Sequence, residues 1–126
     1  MRPTLSMTDY NTLRDLTNHN SAAIDTEIAQ LKNELNKATV VADKNLNNKI
    51  VRLNSIVKIR ISESGIISRL QIVLPSDANL KENKISILAP MSIALIGYKE
   101  GESFEWKMPG GIKHINIISV INSDHK

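Results

Sequence analysis

A chain of 126 residues has room for one domain and falls short of two full cores. Its hydrophobic content is 41%, and its only aromatics are Tyr10, Tyr98, Phe104 and Trp106, so the core must be aliphatic. The lack of cysteine excludes disulfides and thiolate metal sites, and the net charge of +3 is spread over scattered lysines, as on a solvated surface rather than a nucleic-acid stripe.

His19, His114 and His125 lack the i, i+4 spacing of a helical metal site, so no metal or other cofactor is expected. No apolar segment follows Arg2, and no run approaches the roughly 20 apolar residues that span a bilayer. These features predict a soluble, cytoplasmic protein with no membrane contact.

In chain order, Thr8 or Asp9 is placed to cap a first helix. Tyr10, Leu13 and Leu16 or Thr17 then recur on one side through about Asn18. After the polar break Asn18-His19-Asn20-Ser21, Ser21 can cap a second helix, in which Ile24, Ile28, Leu31, Leu35 and Ala38 form a narrow seam of the coiled-coil kind. The short connection favours an antiparallel hairpin over residues 1–40. Ala22 to Ala38 is 17 residues, so the arm is at most ~25 Å long. Its tip carries Asp25 and Glu27. Carboxylates there suit the positive end of the helix dipole; alternatively they are delivered into a partner's site to help coordinate a metal ion.

From Thr39 to Lys49 the pattern fades into polar residues, which makes 41–52 a linker and 53–126 a second module. Val57, Ile59 and Ile61 alternate with Lys58 and Arg60, and Leu70, Ile72 and Leu74 alternate with Arg69 and Gln71, the period of half-buried strands. Ile85 and Ile87 begin a third strand that Pro90 must end. Met91 to Ile96 is a short apolar helix closed by Gly97. Phe104, Trp106 and Met108 share one face of a fourth strand, and Pro109-Gly110-Gly111 turns the chain into a last one, from about Ile112 to Ile121. The fold class is therefore α+β: a short antiparallel helical hairpin followed by an antiparallel sheet with one short helix.

Ile85-Ser86-Ile87, Ala89-Pro90, Ala94-Leu95-Ile96-Gly97, Gly101-Glu102 and Pro109-Gly110-Gly111, led in by Leu53-Asn54-Ser55, together resemble the carboxy-terminal domain of the GreA/GreB transcript-cleavage factors. The resemblance implies an FKBP-like domain that docks on bacterial DNA-directed RNA polymerase at the rim of the secondary channel. Full Gre factors carry a long coiled coil whose acidic tip helps hold a catalytic magnesium in the polymerase. The shorter arm here, with Arg2-Pro3-Thr4 and the run Leu31-Lys32-Asn33-Glu34-Leu35-Asn36-Lys37-Ala38, looks more like the short-armed branch named for the regulator of nucleoside diphosphate kinase.

That branch implies a polymerase-binding regulator that competes with Gre factors, is not an enzyme and lacks transcript-cleavage activity. The alternative is a cleavage-stimulating factor that uses Asp25 and Glu27. By resemblance, Ser86, Leu88 and Pro90 fall at the polymerase rim contact; Leu88 departs from the Asp or Asn frequent there in Gre factors, which favours an apolar contact. No catalytic residue and no sequence-specific nucleic-acid binding is implied, and a seam satisfied within one hairpin predicts a monomer.

Overall fold

The computed structural model describes residues 3–19, 26–108 and 110–122. The elements run β1 (Thr4–Ser6), α1 (Met7–His19), α2 (Thr26–Lys37), β2 (Thr39–Val41), β3 (Ile56–Ile61), β4 (Ile66–Val73), β5 (Lys84–Ser86), α3 (Pro90–Leu95), β6 (Ser103–Met108) and β7 (Gly111–Ile121). Two helices thus precede a sheet carrying one short helix, the α+β layering that the sequence pattern predicts.

The apolar spacing of the hairpin translates directly into burial. Leu13 and Thr17 of α1 and Ile28, Leu31 and Leu35 of α2 are buried, while Tyr10 and Leu16 pack at the margin. Ile24 and Asp25 lie outside the described residues. Helix α1 begins earlier than Thr8: Ser6 precedes it, and the Ser6 hydroxyl accepts from the Asp9 N–H at 3.1 Å. Ser6 therefore fills the capping role, and Asp9 is freed for another.

Two short strands close the base of the hairpin. β1 and β2 pair in parallel, with Thr4 opposite Thr39 and Ser6 opposite Val41. The two helices act as the crossover that a parallel pair requires.

The main sheet has the order β5-β4-β3-β7-β6. Its pairs are antiparallel except β4–β5, which is parallel. The long polar loop over residues 74–83 carries the chain back so that β5 runs alongside β4, a reversal invisible to strand periodicity. In β7, Ser119 faces Lys58 while Ile117 faces Ile59, which leaves Ile118 as an extra residue. This bulge shifts the alternation by one. Ile115, Ile117 and Val120 are consequently all buried, and Ile121 is exposed.

Helix α3 covers the inner face of the sheet. Pro90 opens it at the position where a missing N–H costs nothing. Gly97 follows its end at φ +85°, a conformation side chains resist. One apolar cluster joins Leu13, Leu31 and Leu35 of the arm to Val57, Ile72, Ile93, Leu95 and Ile117 of the sheet module. Val51, in the 41–52 segment, belongs to the same cluster and exchanges backbone hydrogen bonds with Tyr98 and Gly97 at 2.8 and 2.9 Å.

Candidate functional site

The turn between β5 and α3 brings Ser86, Leu88 and Pro90 into five consecutive residues. Ser86 is the last residue of β5 and sits opposite Val73. Its hydroxyl accepts from the Leu88 N–H at 3.0 Å, and its carbonyl accepts from the Ala89 N–H at 2.9 Å. Between them Ile87 is fully buried and its N–H donates to the Val73 carbonyl at 2.7 Å, which pins the turn to the sheet. Leu88 packs against the core from one side and is only half-buried, as is Pro90.

This geometry presents a mixed surface: an apolar edge, a rigid proline and a hydroxyl. Among the described residues the Ser86 hydroxyl has no acceptor for its own hydrogen, so it can donate to a partner. Ala89 holds extended backbone before the helix and makes no side-chain cap. The turn is therefore shaped by backbone bonds and by Ile87, leaving the side chains of Ser86, Leu88 and Pro90 free of structural hydrogen bonds apart from the Ser86–Leu88 contact.

The arm is fixed to this module by buried polar groups that sequence spacing did not reveal. Asp9 is buried in α1, where its carboxylate accepts from the Leu53 N–H at 3.0 Å and lies 3.9 Å from the Arg52 guanidinium. Burial raises its pKa, opposed by the Leu53 hydrogen bond and the Arg52 charge. Glu34 is buried in α2, accepting from the Tyr98 hydroxyl at 3.2 Å, with Lys37 Nζ at 3.0 Å. Burial first, and then the Glu34 charge, pushes the Tyr98 phenol up. At the outside edge, Thr8 donates from its hydroxyl and, at 3.0 Å, from its N–H to Asp43, which holds the Asp43 carboxyl below its usual value. The Ser6-x-x-Asp9 spacing, close to a capping box, was the one visible sign that Asp9 is not itself the cap.

Of the tip carboxylates, Asp25 lies outside the described residues, and Glu27 belongs to the first turn of α2. No group of three or more metal-ligating side chains exists among the described residues. Across the molecule, His114 on β7 sits between two carboxylates, Glu63 at Nδ1 and Glu105 at Nε2, the latter at 2.9 Å. No helix among the described residues is long and apolar enough to cross a membrane.

Residues 46–122, which include the β5–α3 turn and the whole sheet, match the family model described as transcription elongation factor, GreA/GreB, C-term. The chain belongs to the GreA/GreB family. It is 29% identical over 122 residues to the regulator of nucleoside diphosphate kinase of Escherichia coli (strain K12), covering 94% of this chain and 90% of that relative. It is 34% identical over 97 residues to transcription elongation factor GreA of Caulobacter sp. (strain K31), covering 77% of this chain and 62% of that one. A solved structure, the prokaryotic transcription elongation factor GreA/GreB from Nitrosomonas europaea, superimposes with a TM-score of 0.76 at 31% identity over 97% of this chain and 99% of its own. This GreA/GreB family member is thus of the transcription-factor kind, and its fold extends through the arm as well as the sheet module.

Proposed function

We propose that this protein is a monomeric transcription regulator that binds bacterial RNA polymerase at the rim of the secondary channel and competes there with Gre factors, without stimulating transcript cleavage. Residues 53–126 are the anchor, with Ser86, Leu88 and Pro90 at the contact, and residues 1–40 are the arm.

The arm's length carries the distinction. The second arm segment, Ala22 to Ala38, is 17 residues, which at ~1.5 Å per residue limits the arm to about 25 Å. Cleavage chemistry needs carboxylates within a few ångströms of a metal ion in the polymerase, which a short arm held by Asp9 and Glu34 at its base does not deliver. The match over 90% of the regulator relative, against 62% of the GreA relative, supports the same assignment.

The test is capture of polymerase core by the tagged protein, with and without excess Gre factor. Retention of core that Gre factor displaces, and that Leu88→Ala with Pro90→Ala weakens about tenfold or more, is the expected result. Failure to retain core overturns the proposal.

A further inference from the structure

The outer face of the sheet, opposite α3, carries cations in a register that folding does not require. Lys58 stands directly opposite Arg69 on β4 and opposite Ser119 on β7. Arg60, two residues on, shares that face. All three cations are exposed, and none forms an ion pair among the described residues. Glu63 and Glu105 are engaged by His114, and Glu82 by Lys84. Like charges directly opposite on a sheet destabilise it, so Lys58 and Arg69 are held together at a cost.

Aliphatic side chains surround these cations. Ile56 faces Ile121 across the β3–β7 pair, and Ile67 faces Arg60. Ile67 and Ile121 are 54% and 50% exposed. Ile56, Lys58, Arg69, Ser119 and Ile121 line an open hollow of about 190 Å³.

We propose that this outer face is a second docking surface, for a peptide segment of a protein partner that combines carboxylates with aliphatic side chains. Its charge is complementary to such a segment: Lys58, Arg60 and Arg69 meet the carboxylates, and the Ile56–Ile121 hollow takes an aliphatic side chain. Nucleic acid fits less well. Single-strand binders stack bases on rings, but Phe104 and Trp106 pack toward the core, Tyr98 is buried and Tyr10 belongs to the arm. The surface is separate from the β5–α3 turn, and its occupation does not depend on polymerase docking there.

The experiment is fluorescence anisotropy of a labelled peptide repeating Glu-Glu-Leu, titrated with the full chain at low and high salt. Peptides repeating Gln-Gln-Leu and a single-stranded RNA oligonucleotide serve as the other arms. Binding of the Glu-Glu-Leu peptide, weakened by salt and absent for Gln-Gln-Leu, is expected. Lys58→Glu removes one cation and gives Arg69 an internal partner, so it weakens binding about tenfold. The same variant melts no lower than the parent, because a cross-strand repulsion becomes an attraction. No binding of the acidic peptide, equal binding by Lys58→Glu, tighter binding of the RNA, or a lower melting temperature for Lys58→Glu would each overturn the proposal.

Discussion

Gly97→Ala probes how the amino-terminus, the base of the arm and the sheet module are locked together. Gly97 sits at φ +85°, and a Cβ there would lie 2.3 Å from Pro3 Cβ and 3.0 Å from both Pro3 Cα and Thr4 N. The left-handed backbone alone costs a non-glycine residue about 1–2 kcal/mol. Carbon contacts prefer about 3.5–4.0 Å, so Pro3 must retreat by more than an ångström, and the Thr4 N–H to Gly97 carbonyl bond, now 2.8 Å, goes with it. That bond is worth about 1 kcal/mol. The sum is about 2–4 kcal/mol, or roughly 10 °C in melting temperature for a domain of this size. Urea denaturation of Gly97→Ala in the parent and in a Pro3→Gly background separates the two parts. With the Pro3 Cβ gone, the cost of Gly97→Ala should fall by about 1 kcal/mol, leaving the backbone share. A cost under about 0.5 kcal/mol, or an identical cost in both backgrounds, would refute the reasoning.

Asp9→Ala strands the Leu53 N–H beneath α1 and is expected to lower unfolding free energy by about 1–3 kcal/mol, measured by chemical denaturation. Asp9→Asn keeps an acceptor and should cost less. Because burial raises the Asp9 pKa above 3.8 in the folded state, its contribution to stability declines as pH rises through that window and is flat above it. Asp9→Asn should abolish that component of the acid-side slope. His114 should titrate above 6.5 by NMR, chiefly because of the Glu63 hydrogen bond and then that of Glu105, and Glu63→Gln should lower it more than Glu105→Gln. Glu63 itself is pulled down to about 2. The pair therefore stabilises the fold above the unfolded Glu63 value of 4.5, is lost as pH falls toward 2, and is lost at the other end as pH rises through the folded His114 value.

Local periodicity in the sequence foretold most elements of the fold. Alternation at Val57, Ile59, Leu70 and Ile72 placed two strands, and the seam through Ile28, Leu31 and Leu35 placed α2, because burial follows those periods. Three-residue strands such as β1 and β2 have no period to detect. The parallel β4–β5 pairing depends on the path of a polar loop and leaves no local mark. Asp9 reads as a helix cap because its true partner, the Leu53 N–H, lies 44 residues away. Resemblance alone proposes Ser86, Leu88 and Pro90 as a contact, and the structure adds that the buried Ile87 anchors them in one turn. The outer-face cations alternate visibly at Lys58 and Arg60, but only strand register shows that Arg69 opposes Lys58.

The central proposal, a regulator that occupies the Gre site without cleaving, is tested most directly by transcript cleavage on a backtracked elongation complex. This protein alone should leave the RNA at full length, and increasing amounts should suppress cleavage stimulated by a Gre factor. RNA shortening by the protein alone, lost on Asp25→Ala with Glu27→Ala, would contradict the account.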